Sequence, residues 1–407
     1  MAAGFSGVVH RRRAICRKGG QRVRGGRYRK CSDLGLHTAA VASAFLSIVC
    51  LAPIRAEALT DAFVDTVSVP PPFTESDDSL SSWAVLPAAF HTPETGFGGG
   101  IVGGYFFKSK ADSRPNSIGW NLFYTQKSQI IAGLGTELYS PEACRRLLGA
   151  ISFVKFPGSF WGIGDSTQNE DEESYTSRAF AFAITGQRDF HSCLMVGPSY
   201  RFWTGRVTDL EEGGQLDSGT IAGSEGGTSS GLGFAATWDT RDNIYFTKRG
   251  TYLNLDATYY GGLLGSTWDY SLFAADFRQF THLYGGHALG LRALVRSSAG
   301  TVPFQDLPML GGPNLMRGYQ EGRYRDNALA ALQAEYRSPY WWVLAFTIFG
   351  SVGDVAGRVS RISTDSLKYT LGLGIRFRLN DESFNLRVDM AVAEGSSGVY
   401  FMGGESF

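Results

Sequence analysis

The sequence predicts an all-β fold, a transmembrane antiparallel β-barrel of about 16 strands. Three observations support this prediction. From residue 81 to residue 407, runs of about ten residues alternate apolar with polar side chains, as strands with one apolar and one polar face do. The polar faces carry full charges, as at Arg376 and Asp389. The N-terminal residues have the pattern of an export signal, so the apolar faces are expected to contact lipid.

Export is predicted from residues 1–58. Residues 1–32 carry ten Lys or Arg and no acid, an apolar stretch follows at 38–52, and residues 56–58 read AEA. This order of basic, apolar and small residues is typical of a secretory signal peptide with its cleavage site. The apolar stretch is too short to cross a membrane as a helix. An organellar transit peptide, which is also rich in arginine, is the alternative.

The formal net charge of zero hides two unlike parts of the chain. Residues 1–58 hold 11 of the 38 basic residues and two of the 38 acids, so the remainder has 27 bases, 36 acids and a net charge of −9. A nucleic-acid partner is therefore not expected. Cys144 and Cys193 are the cysteines beyond residue 58, and whether they pair stays open.

Residues 59–80 contain three consecutive prolines and Ser/Asp clusters, and they are predicted to form a periplasmic linker. Beyond them, in 81–407, turn residues separate the alternating runs, as expected between strands of one barrel domain. Bacterial barrels have an even number of strands. The predicted strands begin near residues 82, 97, 117, 129, 146, 174, 192, 229, 250, 267, 286, 328, 343, 368, 383 and 398.

Three runs show the alternation best. Residues 369–379 have Tyr, Leu, Ile and Phe at odd positions and Thr, Gly and Arg at even positions. Residues 384–392 and 253–259 alternate in the same way. A soluble β-sandwich shows the same alternation and stays the alternative. Export, charged polar faces and aromatic residues near strand ends favour a barrel in the bacterial outer membrane, with a polar lumen and aromatic girdles.

The most informative segment is residues 310–319, which read LGGPNLMRGY. It lies in a stretch of roughly 28 residues without a strand pattern, and loops of that length are usually functional or disordered. A buried arginine in such a loop needs an acidic partner, whereas an exposed arginine in a surface turn is the alternative. Gly311, Gly312 and Gly318 permit tight turns. Arg317 is the single arginine of the segment, and Tyr319 is the aromatic residue near it.

Four segments together resemble the BamA/TamA superfamily of outer-membrane barrels, also called the bacterial surface antigen family. Residues 310–327 are similar to the signature of that family's sixth extracellular loop, and residues 238–250 are similar to its DTRDN…RG hairpin. Weaker similarities are an opening hairpin at 86–96 and a C-terminal strand at 399–407 that ends on an aromatic residue, as assembly signals do. The resemblance covers residues 81–407.

The resemblance implies that the long extracellular loop folds into the lumen and that Arg317 pairs with acids on the twelfth and thirteenth strands. Glu335 matches the twelfth-strand acid, with an ordinary lumen charge as the alternative. The thirteenth-strand pattern F-x-D-x-G has Ser351 where the aspartate belongs, and Asp354, three residues on, is the candidate substitute. Bidentate pairing of a guanidinium with a carboxylate would hold such a loop in place.

The DTRDN hairpin is predicted to be structural, because Asp and Asn side chains cap turns through hydrogen bonds. The last strand is expected to run to Phe407. By resemblance it forms a weak seam with the first strand, residues 81–90, and this seam can open. The hairpin residues are Asp239, Arg241, Asp242, Asn243 and Gly250.

Larger members of the family carry periplasmic POTRA domains, and the 22 residues of 59–80 are too few for one. The chain is therefore expected to be a POTRA-less member. The resemblance implies assembly, insertion or translocation of proteins at the outer membrane. The implied partners are outer-membrane lipids, unfolded outer-membrane proteins or a separate periplasmic protein.

A passive channel or a lipid-handling barrel without protein clients is the alternative. An enzyme is not expected, because the sequence shows no nucleophile–base constellation. It also shows no cofactor motif and no metal-ligand spacing among its six histidines.

Overall fold

In a computed structural model, the described residues are 81–107, 116–140, 145–191, 193–243, 246–379 and 385–407. The predicted signal peptide, 1–58, and the predicted linker, 59–80, lie outside them, as does Cys144. Cys193 is described and is a free, exposed cysteine. Among the described residues, no helix is long and apolar enough to cross a membrane.

The described strands form one closed antiparallel barrel of 16 strands, and a separate two-residue ladder pairs β12 with β13. In order, the strands are β1 Ser81–Thr92, β2 Gly96–Phe107, β3 Asn116–Thr125, β4 Ile130–Ser140, β5 Arg145–Phe160, β6 Glu173–His191, β7 Leu194–Thr208, β8 Gly226–Asp239, β9 Gly250–Tyr260, β10 Tyr270–His282, β11 Ala288–Gly300, β12 Met309–Leu310, β13 Tyr324–Arg325, β14 Ala328–Arg337, β15 Leu344–Ala356, β16 Lys368–Arg378, β17 Asn385–Ala393 and β18 Ser396–Gly403.

Each predicted strand start lies within three residues of an observed barrel strand start, so the predicted fold class and strand number are confirmed. Period-two patterning locates strands well because one face of every strand meets lipid. The short 3-10 helices among the described residues are Asn169–Asp171, Gly262–Leu264, Tyr284–Gly286 and Val359–Arg361.

The two ends of the barrel differ in their connections. At one end, loops such as 161–172, 209–225 and 301–327 join the strands, and we call this the long-loop end. At the opposite end the connections include 240–249 and 338–343, and we call this the short-turn end. In bacterial barrels the long loops face the outside of the cell.

The two faces of the sheet have opposite chemistry, as the alternation predicts. On β16, Leu371 and Leu373 are more than 60% exposed on the outer face, whereas Arg376 is fully buried on the lumen side. Trp341 and Trp342, in the turn after β14, are about 80% exposed, which is the position of an aromatic girdle. The lumen is filled by side chains and by the 301–327 loop, whose Phe304 and Met316 are fully buried.

Candidate functional site

The lumen loop, residues 301–327, is the centre of the candidate site. It folds back on itself because β12 pairs with β13, with Met309 opposite Arg325. Gly311 has φ +107°, and a Cβ at this position would lie 2.0 Å from the Gln320 carbonyl oxygen, so only glycine fits without strain. The loop is thus a compact hairpin inside the barrel. Two other glycines of the predicted motif, Gly312 and Gly318, also have positive φ. Tyr319, the aromatic residue of the motif, is buried.

Arg317, at the tip of the lumen loop, is fully buried and bridges two acids on different strands. Its Nη2 lies 2.8 Å from Glu335 Oε2 on β14, and its Nη1 lies 2.5 Å from Asp389 Oδ2 on β17. The centre of its guanidinium is 3.3 Å from the centroid of the Phe349 ring on β15. Two charge-assisted hydrogen bonds and one stacked ring fix this side chain in one orientation.

The second acid that contacts Arg317 is Asp389, and neither of the two residues considered on the thirteenth strand, Ser351 and Asp354, contacts it. Ser351, on β15, receives a long hydrogen bond from Gln333, at 3.5 Å. Asp354 lies 3.2 Å from Lys368 Nζ and does not reach Arg317. The prediction that Asp354 serves as the thirteenth-strand partner of Arg317 is therefore wrong. The Phe349 ring covers Arg317 from β15, and the second carboxylate comes from β17, two strands further around the barrel.

Arg317 and the two acids that contact it belong to a larger buried network of charges. Arg337 Nε lies 2.9 Å from Glu335 Oε1, and Arg376 Nη1 lies 2.5 Å from Asp389 Oδ1. Arg376 also lies 2.8 Å from Glu405, beyond the end of β18. Because Glu335 and Asp389 each have more than one cationic partner, buried charges that would be costly alone are compensated.

The lumen loop is also bound to the last strand, β18, and to its hairpin. The Gly318 N–H donates to the Tyr400 hydroxyl at 3.0 Å, and the Ser396 hydroxyl donates to the Gly318 carbonyl oxygen at 2.7 Å. A side chain at Gly318 would approach the main chain of Val392 to 3.1 Å. The loop therefore positions β17 and β18 as well as filling the lumen.

Neighbouring strands and loops hold the rest of the lumen loop. Asp306 accepts hydrogen bonds from Trp203 Nε1 at 2.9 Å and from the Tyr270 hydroxyl at 2.5 Å. Arg323 donates to Thr167 and Asn169 of the loop 161–172. In the turn between β1 and β2, Glu94 accepts from the Glu321 N–H at 3.0 Å, and burial raises the pKa of the Glu94 carboxyl above its usual value.

The DTRDN hairpin between β8 and β9 has the hydrogen bonds of a capped turn. Asp239 accepts from the main chain and the guanidinium of Arg241. Asp242 Oδ1 accepts from the Lys248 and Arg249 N–H groups, and Asn243 Oδ1 accepts from the Phe246 N–H. Gly250 has φ +123° and opens β9. These contacts are all local to the hairpin and support its predicted structural role.

The C-terminal strand ends earlier than expected. β18 stops at Gly403, and Phe407 is buried in the lumen instead of extending the strand. Arg337 donates to the main-chain oxygen of Phe407 at 2.8 Å, and the Phe407 ring packs 6.1 Å from that of Phe280. The tail turns inward at Gly404, where φ is +73°, because its polar and aromatic groups have partners in the lumen.

The seam between β1 and β18 is the shortest pairing of the described barrel. His91 opposite Phe401 is the single paired position, whereas β1 and β2 share twelve and β17 and β18 share eight. His91 Nδ1 lies 3.0 Å from the Val399 carbonyl oxygen. Along residues 81–90, β1 has no ladder to β18.

No group of three or more His, Cys, Asp or Glu among the described residues is placed to hold a metal ion. Asp389, Arg376 and Glu405 belong to the charge network but are not predicted from the sequence to do so. Asp389 and Arg376 were visible as charges on polar strand faces. Their link to the lumen loop depends on how the strands close into a barrel.

A family model of the Omp85 superfamily domain matches residues 105–407. Among solved structures, the chain is similar to BamA from Haemophilus ducreyi lacking POTRA domains 1–3, at 12% identity over 81% of this chain and 70% of that chain, with a TM-score of 0.57. It is also similar to CdiB from Acinetobacter baumannii, at 14% identity over 79% and 59% of the two chains, with a TM-score of 0.52.

CdiB from Escherichia coli matches at 11% identity over 79% of this chain and 63% of that chain, with a TM-score of 0.53. The chain thus spans less than two thirds of either CdiB, and identities this low show a shared fold alone. No curated protein matches the chain. Because the family model covers most of the barrel, the chain belongs to the Omp85 superfamily and forms an outer-membrane β-barrel.

Proposed function

We propose that this barrel assists the insertion or assembly of other proteins in the outer membrane by opening between β1 and β18. The observation that carries the proposal is the single paired position at the seam, against eight or more for neighbouring pairs such as β17 with β18 and β3 with β4. Among the described residues, the N–H and C=O groups of 81–90 that point away from β2 have no strand partner, and such groups are a ready template for a strand of another chain. The clients would be unfolded outer-membrane proteins, delivered directly or by a separate periplasmic partner.

The lumen loop supports the same proposal because it binds the strands on one side of the seam. Arg317 holds β17 through Asp389, and Tyr400 and Ser396 hold the loop to β18. Any movement of β18 away from β1 therefore acts on the loop. The loop also fills the lumen, which argues against a wide passive channel.

A disulfide across the seam tests the proposal. In a background in which all five native cysteines are replaced by serine, His91→Cys/Phe401→Cys joins the single paired position of β1 and β18. The matched control is Leu371→Cys/Val392→Cys, which joins β16 to β17 at a lipid-facing position within an uninterrupted strand pairing. The full chain is placed in liposomes, and the insertion rate of an unfolded outer-membrane protein is measured with the disulfide oxidised and then reduced.

We expect the oxidised seam variant to lose the acceleration and to regain it on reduction, while the control accelerates insertion in both states. Acceleration that persists with the seam locked would refute the opening mechanism. A wild-type chain that never accelerates insertion would refute the function itself and favour a lipid-handling or passive barrel.

A further inference from the structure

Three basic side chains form a row on the outer face of the barrel. Lys155 on β5 lies opposite Arg178 on β6, and Arg178 lies opposite Arg206 on β7. Directly opposed residues of antiparallel neighbours point to the same face of the sheet. Phe153 and Phe180, two residues along from Lys155 and Arg178, are on that face and are 47% and 41% exposed. We call Lys155, Arg178 and Arg206 the outer basic row.

The outer basic row lies at the border of the apolar band. On β6, the outward residues between Arg178 and Arg188 include Phe180, Phe182 and Ile184. A span of ten residues at about 3.3 Å each, tilted by roughly 40°, rises about 25 Å, which is the height of the lipid-facing band of such barrels. Arg178 therefore marks the border at the long-loop end. Arg188, with Arg145 opposite it on β5, marks the other border.

Among the described residues, the outer basic row has no acidic partner. Within the described strands and loops, no hydrogen bond or ion pair joins these three side chains to any carboxylate. Ile130 lies opposite Lys155 and Gly226 lies opposite Arg206, so no acid occupies the next position on either side. Like charges directly opposite each other on neighbouring strands repel. An anion bound between these side chains would relieve the repulsion.

We propose that the outer basic row binds the acidic, phosphate-bearing headgroup of a lipid with net negative charge in the leaflet at the long-loop end. Neighbouring strands are about 4.8 Å apart, so the row spans about 10 Å and its donors can converge on one headgroup. Arginine binds phosphate oxygens with two parallel hydrogen bonds. The acyl chains then lie over Phe153 and Phe180, which continue the same face towards the middle of the membrane.

Native mass spectrometry of the full chain, released from detergent micelles and titrated with phosphatidic acid, tests this site. The test variant is Arg178→Gln/Arg206→Gln. The matched control is Arg358→Gln/Arg361→Gln, which removes the same charge from two exposed arginines of the loop 357–367 at the same end. Each basic residue near a membrane surface contributes roughly fivefold to binding of an acidic lipid, so the test variant should bind about 25-fold more weakly and the control unchanged.

Three further arms separate the explanations. Phosphatidylcholine with the same acyl chains should bind all variants equally, and millimolar inorganic phosphate should not displace phosphatidic acid. Arg145→Gln/Arg188→Gln, at the other border, should weaken binding less than the test variant. The barrel should stay folded on semi-native gels, because the test variant removes repulsion and no contact.

An equal loss in the test variant and the loop control would reduce the effect to net charge and overturn the proposal. No loss in the test variant would also overturn it. Displacement by inorganic phosphate would show a site for the free anion, and a larger loss in the variant at the other border would place the lipid there; either result contradicts the assignment.

Discussion

At the scale of single residues, the position of Arg317 depends on the acids that pair with it. Glu335 and Asp389 both contact the guanidinium, whereas Asp354 pairs with Lys368. Arg317, Glu335 and Asp389 are buried, so removal of one partner leaves a charge that water cannot reach. A cost of about 3 kcal/mol is typical of breaking such a pair.

A double-mutant cycle distinguishes the two candidate acids. Arg317→Ala with Asp389→Asn should show a coupling energy of about 1–3 kcal/mol, because the two side chains share hydrogen bonds. The same cycle with Asp354→Asn should show coupling below about 0.5 kcal/mol. The free energies come from urea unfolding of the barrel in liposomes. Equal coupling in the two cycles would contradict the assignment of Asp389.

At the scale of elements, the backbone of the lumen loop is as constrained as its arginine. Gly311→Ala places a Cβ 2.0 Å from the Gln320 carbonyl oxygen at a positive φ, so the hairpin of β12 and β13 must distort. We expect a loss of about 2 kcal/mol and tryptic cleavage within 301–327. Gly357→Ala is the control, because its Cβ meets no atom within 4 Å. A protected loop in Gly311→Ala would show that the strain is relieved elsewhere.

Some features of the elements depend on local sequence and others depend on closure of the barrel. The strand starts follow from local period-two alternation, and the sequence located them within three residues. The link between Arg317 and Glu335 followed from family resemblance. Asp389 was missed because it lies 72 residues from Arg317 and approaches it only when the barrel closes. The inward turn of the tail was missed because Phe407 fits a strand pattern equally well until its lumen partners are known.

At the scale of the whole molecule, the barrel combines a filled lumen with a weak seam. Fifteen of its sixteen strand junctions carry eight or more paired positions, and the junction of β1 with β18 carries one. A barrel of 16 strands without an internal plug leaves an aqueous channel. Here the lumen loop, Phe407 and the charge network occupy that space. Transport through the centre is thereby opposed.

This arrangement predicts a low conductance that depends on the lumen loop. Replacement of residues 305–323 by a short Gly/Ser turn removes Arg317, Asp306 and the ladder of β12 with β13, so planar-bilayer conductance should rise several-fold. Deletion of residues 359–363, in the exposed loop 357–367 at the same end, is the control and should leave conductance low. If the wild-type chain already conducts as well as the loop-replaced variant, the lumen is open in the membrane, and this result favours the passive channel. If only the replaced variant conducts, the loop is the plug, and the wild-type lumen is closed to ions.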